Sequence, residues 1–542
     1  MKWVRIPIVW AVLASTVVLA AEPKLPVFTD ITEHARLSFR RSFGDFDLSN
    51  IVEGTGGGAV AFDYNNDGLL DIYISNGCWR KDVSDNQGRR LRGKLKSCLY
   101  KNNGDGTFTD VTEKARVGAA DSYGVACSAA DYDNDGWVDL YVCCYGRNKL
   151  FHNNGDGTFT EVSERAGVAD PRFSVAGLWI DYNLDGRLDL YVANYVEYDH
   201  GKFRAYYPAA GYPGPLSYNG SPNALYRNNG DGTFTDVAKE VGVYQPNGRA
   251  MGATAADFRN CGLLDIFQTN DNMENYYFEN TGKGTFQEKA MERAVAFGEG
   301  GQGVSNMGPV FGDINHDGRL DLYIPAMGYG TLQINRGDFF EDRTTQAGLA
   351  VVSGQYTGWG ACLFDYDNDG HLDLYIANGD PHHEYDQEAV LVRNDGTGHF
   401  VDVARLSGDY FHKRFVSRGA LCADFDNDGD LDLLVINLNG PPRLLRNDGG
   451  NRNHWLMVYP RLRSLKREAI GARVTVRTGS LVQFMDMIPV RGYLSQGDPR
   501  LHFGLGSAAR ADSVEIRWPD GRATVLKDVP ASQILTVFQD GS

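Results

Sequence analysis

Asp131-Tyr-Asp-Asn-Asp-Gly-Trp-Val-Asp139 sets oxygen-bearing side chains at positions one, three, five and nine, with a glycine at position six. Calcium takes six to eight oxygen ligands at about 2.3–2.6 Å, and a glycine in mid-loop lets the chain turn sharply enough to converge them. The pattern returns at residues 63–71, 181–189, 313–321, 365–373 and 424–432, with a damaged copy at 257–265. Recurrence of one unit along the chain is the mark of a repeat protein.

The expected metal ligands are therefore Asp63, Asn65, Asp67 and Asp71; Asp131, Asp133, Asp135 and Asp139; Asp181, Asn183, Asp185 and Asp189; Asp313, Asn315, Asp317 and Asp321; Asp365, Asp367, Asp369 and Asp373; and Asp424, Asp426, Asp428 and Asp432. An EF-hand reading fails at position twelve, where a bidentate Glu is required and Ile74, Val142 and Val192 stand. In the damaged copy Arg259 and Cys261 occupy positions three and five. The Arg259 guanidinium is expected to replace the cation by pairing with Asp257 and Asp265, which leaves about six calcium ions per chain.

Around each loop the grammar is constant: a Gly-rich apolar run, the loop, a run such as Asp71-Ile-Tyr-Ile74, an insertion, Leu99-Tyr-Lys-Asn102, the turn Asn103-Gly-Asp-Gly106, and Thr107-Phe-Thr-Asp-Val111. Alternating β-branched and aromatic residues with glycine punctuation read as four short strands per unit. Seven such units predict an all-β chain built as a seven-bladed β-propeller over residues 22–448. The seventh unit lacks its fourth strand, and residues 28–32 match the fourth strand of the first unit, so the N-terminal strand is expected to close the ring. Residues 449–542, with Arg473-Val-Thr-Val-Arg477 and Ser513-Val-Glu-Ile-Arg517, predict a small C-terminal β-sandwich.

Residues 1–20 carry Lys2 and Arg5, an apolar run and a small-residue end, the pattern of a signal peptide. No second stretch suits a membrane span, so a secreted or periplasmic protein without a transmembrane segment in its mature chain is expected. The net charge is −17, yet residues 449–542 hold 13 Lys and Arg against 8 Asp and Glu, so the acidity belongs to the repeats. That surface disfavours nucleic acid and invites the basic C-terminal part to dock on it. In an oxidising compartment Cys78 and Cys98, which bracket one insertion, are the candidate disulfide. The adjacent Cys143 and Cys144 form no Cys-x-x-Cys motif and read as structural.

Antiparallel strands put the metal loops and the Asn-Gly-Asp-Gly turns at one end of the ring and the variable insertions at the other. The insertion at 195–223 is rich in aromatics, and Tyr195, Tyr206, Tyr207 and Tyr212 are candidates to stack on sugars or a protein partner. Asn76, Asn194, Asn270, Asn378 and Asn437 recur just after the second strand, either as caps or as a ring of amides for a polar ligand. His382 and His383 stand in the loop after Asn378. Arg336-Gly-Asp338 aligns with the turns of the other units and reads as a turn. Gly-x-Ser-x-Gly, P-loop and dinucleotide signatures are missing, so an enzyme would need an unrecognised constellation.

The calcium loop repeated seven times, with a Gly-x-x-x-x-Asp run in five copies at Gly58, Gly252, Gly308, Gly360 and Gly419, resembles the FG-GAP (VCBS-type) repeats of integrin α-subunit propellers. Asn453-His-Trp-Leu456, Ile470-Gly-Ala-Arg-Val474 and residues 493–506 resemble the ASPIC and UnbV domain, and the combination is similar to the cartilage acidic protein family and its bacterial homologues. The resemblance implies a secreted calcium-binding propeller with matrix or cell-surface associations. Recognition or adhesion, with structural calcium and a glycan or protein ligand, is the expected function. The alternatives are an enzyme on the loop-rich face and an extracytoplasmic assembly scaffold.

Overall fold

Each repeat folds into one four-stranded antiparallel sheet, and there are seven of these among the described residues of the computed structural model. It describes residues 25–199, 201–202, 204–205, 211–298 and 300–539. The expected signal peptide and the candidates Tyr206 and Tyr207 lie outside them. The innermost strands are Ala59–Phe62, Tyr123–Ala130, Ser174–Ile180, Ala250–Ala256, Val310–Gly312, Gly358–Phe364 and Ser417–Ala423. Each packs on the next, and the seventh returns to the first. The fold is an all-β propeller, its core formed where the apolar faces of adjacent sheets meet.

Two features close the ring. The strand Val27–Asp30 pairs antiparallel with Arg443–Asp448, Phe28 opposite Asn447, and so supplies the outer strand of the seventh sheet. An asparagine ending the third strand of every sheet then ties it to its neighbour through Nδ2. Asn102 donates to the Phe425 carbonyl, Asn153 to Tyr64, Asn228 to Tyr132, Asn280 to Tyr182, Asn335 to Phe258, Asn394 to Ile314 and Asn447 to Tyr366, all at 2.8–3.0 Å. All seven asparagines are buried, so each amide satisfies carbonyls that would otherwise be orphaned.

Residues 454–539 form two further four-stranded sheets. Leu456, Val458, Val474, Val476, Phe503, Val514, Ile516 and Trp518 fill the space between them. From this sandwich residues 490–498 enter the axis of the propeller. Gln496 exchanges backbone hydrogen bonds with Ala59 and Ala61, and its side chain bonds both the N–H and the carbonyl of Ala129. Tyr493 stacks edge-on against Trp359 at 5.1 Å. The insertion explains two of the motif glycines directly: a Cβ on Gly308 would lie 2.1 Å from the Tyr493 nitrogen, and one on Gly58 2.4 Å from the Leu494 carbonyl oxygen. Ser495 and Gln496 thus belong to an axial plug.

The expected Cys78–Cys98 bridge is not formed. Both are buried free thiols in different apolar clusters, Cys78 with Ile51 and Tyr123, Cys98 with Leu37 and Tyr100. Sequence spacing brackets the insertion but does not bring its two ends into one cluster.

Candidate metal centres and the loop-rich face

Every acidic loop uses the same local device. Residue four takes a left-handed turn, as Asn66 at φ 56° and Asn134 at φ 62° do, and the glycine after it also has positive φ. Asn tolerates that region better than most residues. In the second loop both Asp131 oxygens accept backbone N–H groups, from Asp135 at 3.1 Å and Gly136 at 2.8 Å. In Asp71, Asp139, Asp321, Asp373 and Asp432 the ninth-position carboxylate accepts a loop N–H on one oxygen and the third-strand asparagine N–H on the other, as Asp139 does from Tyr132 and Asn153. That asparagine is the one that bonds the neighbouring sheet, so each loop is wired to the next sheet.

The carboxylates converge. Asp131, Asp133 and Asp135, Asp365, Asp367 and Asp373, and Asp424, Asp426 and Asp428 each bring oxygens within 4.8 Å of one another. Burial pushes Asp71, Asp131, Asp189 and Asp321 up to about 8, Asp139 and Asp424 to about 7 and Asp313 to about 6. Asp189 Oδ2 and Asp367 Oδ1 are buried without a hydrogen-bond partner. Oxygen donors, convergent and under-neutralised, fit a hard divalent cation.

The fourth loop shows what replaces it. Arg259 forms a bidentate pair with Asp265, Nε to Oδ2 at 2.9 Å and Nη2 to Oδ1 at 2.8 Å, and reaches Glu279 at 3.4 Å. Asp257, the other expected partner, is instead paired with Arg517 of the sandwich at 2.6 Å. Although buried, Asp257 is held below the usual carboxylate range by Arg517 and the nearby Arg473. Glu279 sits where the other sheets place Lys101, His152, Arg227, Ile334, Arg393 and Arg446. Lys101 pairs with Asp67, and Arg393 with Asp367 and Asp369. His152 lies 3.3 Å from Asp133 and 3.2 Å from Asp139 and is shifted upward, first by its bond to Asp139. Sign is therefore exchanged between loop and strand in the fourth sheet. The strand position was legible only as the variable residue before each Asn.

The sandwich reads the loops with two matching clamps. Arg473, held by Asp486, bonds the Asn260 side chain and the Asp257 carbonyl, while Asp486 accepts from the Asp257 N–H. Arg500, held by Asp498, bonds the Asn427 side chain and the Asp424 carbonyl, while Asp498 accepts from the Asp424 N–H. Arg467 adds a bond to Asn134.

At the other end of the ring the insertions surround an axial chamber of about 390 Å³, walled by Tyr195, Tyr212, Met251, Asp271, Met307 and Trp359 among others. Tyr195 and Tyr212 are buried in it, and Tyr212 packs edge-on against His382. His383 stacks on Tyr385 at 4.7 Å. Among the described residues Tyr329 and Tyr385 are the large exposed aromatics here, which the composition of the 195–223 insertion did not single out. The asparagine amides are buried and turned to backbone: Asn194 donates to Pro222, Asn270 to Glu274 and Asn378 to Glu388. Asn76 and Asn437 likewise donate to Lys96 and Pro441.

Comparison with known proteins adds the following. The ASPIC and UnbV family matches residues 463–542, and the FG-GAP-like repeat matches residues 83–142, 131–192, 260–324 and 365–435. Cartilage acidic protein 1 of Homo sapiens is 28% identical over 448 residues, covering 77% of this chain and 62% of that protein. Its Mus musculus counterpart is 27% identical over 457 residues, covering 77% and 64%. The chain thus spans under two thirds of the length of these relatives. Among solved structures, an Agrocybe aegerita lectin that recognises non-reducing terminal N-acetylglucosamine aligns with 71% of this chain and 86% of its own at 18% identity and a TM-score of 0.42. YCF48 bound to D1 peptide aligns with 74% and 94% at 10% identity and a TM-score of 0.39. Among the described residues no helix is long and apolar enough to cross a membrane.

Proposed function

We propose that this chain, which carries FG-GAP-like repeats and an ASPIC and UnbV domain, is an exported recognition or adhesion protein whose calcium is structural. In this reading residues 1–20 are a signal peptide, residues 22–448 the propeller and residues 449–542 the sandwich, and about six loops hold calcium. The ligand, a glycan or an extracellular protein, binds the loop-rich face. The observation that carries the reading is the division of labour between the two ends of the ring. At one end the acidic loops are tied to neighbouring sheets and to the sandwich. At the other, irregular insertions surround an aromatic chamber and expose Tyr329 and Tyr385.

Calcium would supply charge neutralisation and loop closure, held by the positions one, three, five and nine already named. Binding only the folded state stabilises by about 2.7 kcal/mol per site at a hundredfold excess over Kd. The test is binding of residues 22–542, in calcium, to an array of glycans and extracellular polymers. Chelator and the double variant Tyr329→Ser/Tyr385→Ser are the controls. A ligand lost under both conditions is the expected result; binding indifferent to both would overturn the reading.

A further inference from the structure

The third strand of the fifth sheet, Thr331–Asn335, departs from the other six. Two residues before the interlocking asparagine those sheets hold Tyr100, Phe151, Tyr226, Phe278, Val392 and Leu445, all buried. The fifth sheet holds Gln333 in that core position, only 4% exposed. Among the described residues its side-chain amide has no hydrogen-bond partner. Buried amides are ordinarily bonded, so this one calls for a partner from outside the chain.

Gln333 lines a groove of about 740 Å³ formed by residues that follow the fourth sheet, such as Phe297 and Val304, and by residues of the fifth, such as Met327 and Tyr329. The polar lining is three glutamines, three threonines and one carboxylate, Asp342, with no Lys, Arg or His among the described residues. Asp342 accepts the Thr344 N–H at 2.9 Å and its hydroxyl at 2.6 Å on Oδ1, and its Oδ2 is unclaimed among the described residues. Such a lining has no cation to select an anion, and an apolar partner surface would leave the Gln333 amide unpaired. Amides both donate and accept, as a sugar hydroxyl does. Tyr329 is 61% exposed, and its ring is braced on Gly354, where a Cβ would lie 2.6 Å from Cε1. A few placed polar groups beside an aromatic face are what a small-molecule site needs. We propose that this groove binds a neutral saccharide, its hydroxyls pairing with the Gln333 amide and Asp342 and a sugar ring lying on Tyr329.

The proposal names the ligand class for the loop-rich face and rests on the reading of that face as a recognition surface. The test is calorimetric titration of residues 22–542, in calcium, with the neutral trisaccharides maltotriose, cellotriose and mannotriose, alongside trigalacturonate and the trimer of glucosamine. At least one neutral trisaccharide is expected to bind at millimolar concentration, and more tightly than either charged trimer. Gln333→Leu gives the fifth sheet the residue of the seventh, so the melt is expected to be no lower. Neutral binding should nevertheless weaken at least about tenfold, a difference of about 1.4 kcal/mol. Tyr329→Ser changes an exposed side chain and is expected to weaken the same ligand about threefold or more. Silence of all three neutral trimers towards a protein with its melt intact would overturn the proposal. So would tighter binding of a charged trimer, or neutral binding indifferent to Gln333→Leu or, should that chain not fold, to Tyr329→Ser. A polymer-array ligand lost in Tyr329→Ser/Tyr385→Ser but kept in Gln333→Leu would sink this proposal alone and leave the reading of the face in place.

Discussion

Arg259 shows how far a single side chain can be read. Its place at position three of a broken acidic loop announces a cation substitute, and the bidentate pair with Asp265 is the result. What spacing could not reveal is that Asp257 is claimed by Arg517, 260 residues further on, because charge pairing between domains leaves no local signature. Removing the guanidinium in Arg259→Met strands a fully buried carboxylate and should cost about 3 kcal/mol, read as a lower melting temperature. An unchanged melt would mean that Asp265 is neutral there. The interlocking asparagines were visible as a recurrence in every turn, but their acceptors lie one sheet away. Asn153→Ala removes donors from the Tyr64 and Val138 carbonyls and should cost about 2 kcal/mol or more, whereas a surface Asn in the same turn, Asn154→Ala, should cost little.

At the scale of the element, the acidic loop was the most legible part of the chain, because its spacing is local and its chemistry is fixed by oxygen donors. Its electrostatics give a signed expectation. Asp71, Asp189 and Asp321 are raised by burial to about 8 against an unfolded value of about 3.9. In metal-free protein such groups cost nothing below the unfolded value and increasingly destabilise as pH rises towards the folded one. Bound calcium would reverse the sign by favouring the ionised form, and its binding would release protons. The melting temperature in chelator should therefore fall between pH 5 and pH 8, while the gap between calcium and chelator widens. A gap independent of pH would show that these carboxylates do not hold the metal. The aromatic insertion was legible only as composition. Tyr195 and Tyr212 are buried in the chamber wall, and among the described residues exposure falls to Tyr329 and Tyr385 in other insertions.

For the whole molecule, four-strand periodicity and the unmatched first strand were enough to anticipate a propeller. The axial plug was not foreseeable, since residues 493–506 carry the resemblance to the ASPIC and UnbV domain but their partners, Ala59, Ala61 and Ala129, lie hundreds of residues away in the propeller. Glycine is required where the plug passes: Gly308→Val would drive a side chain into Tyr493 and should expose the sandwich to proteolysis, with intact resistance contradicting the insertion. The same plug and its two Arg–Asp clamps tie the sandwich to the propeller, one of them at the intact acidic loop of Asp424 and the other at the fourth loop, so if the intact loop holds calcium, chelation should loosen both parts together. Calcium stoichiometry by metal analysis of the pure chain, paired with a thermal melt in calcium and in chelator, tests this account most directly. About six ions per chain and a melt lowered by chelator are the predicted results. A clear seventh ion would contradict the Arg259 substitution, and a calcium-free protein with an unchanged melt would contradict the account as a whole.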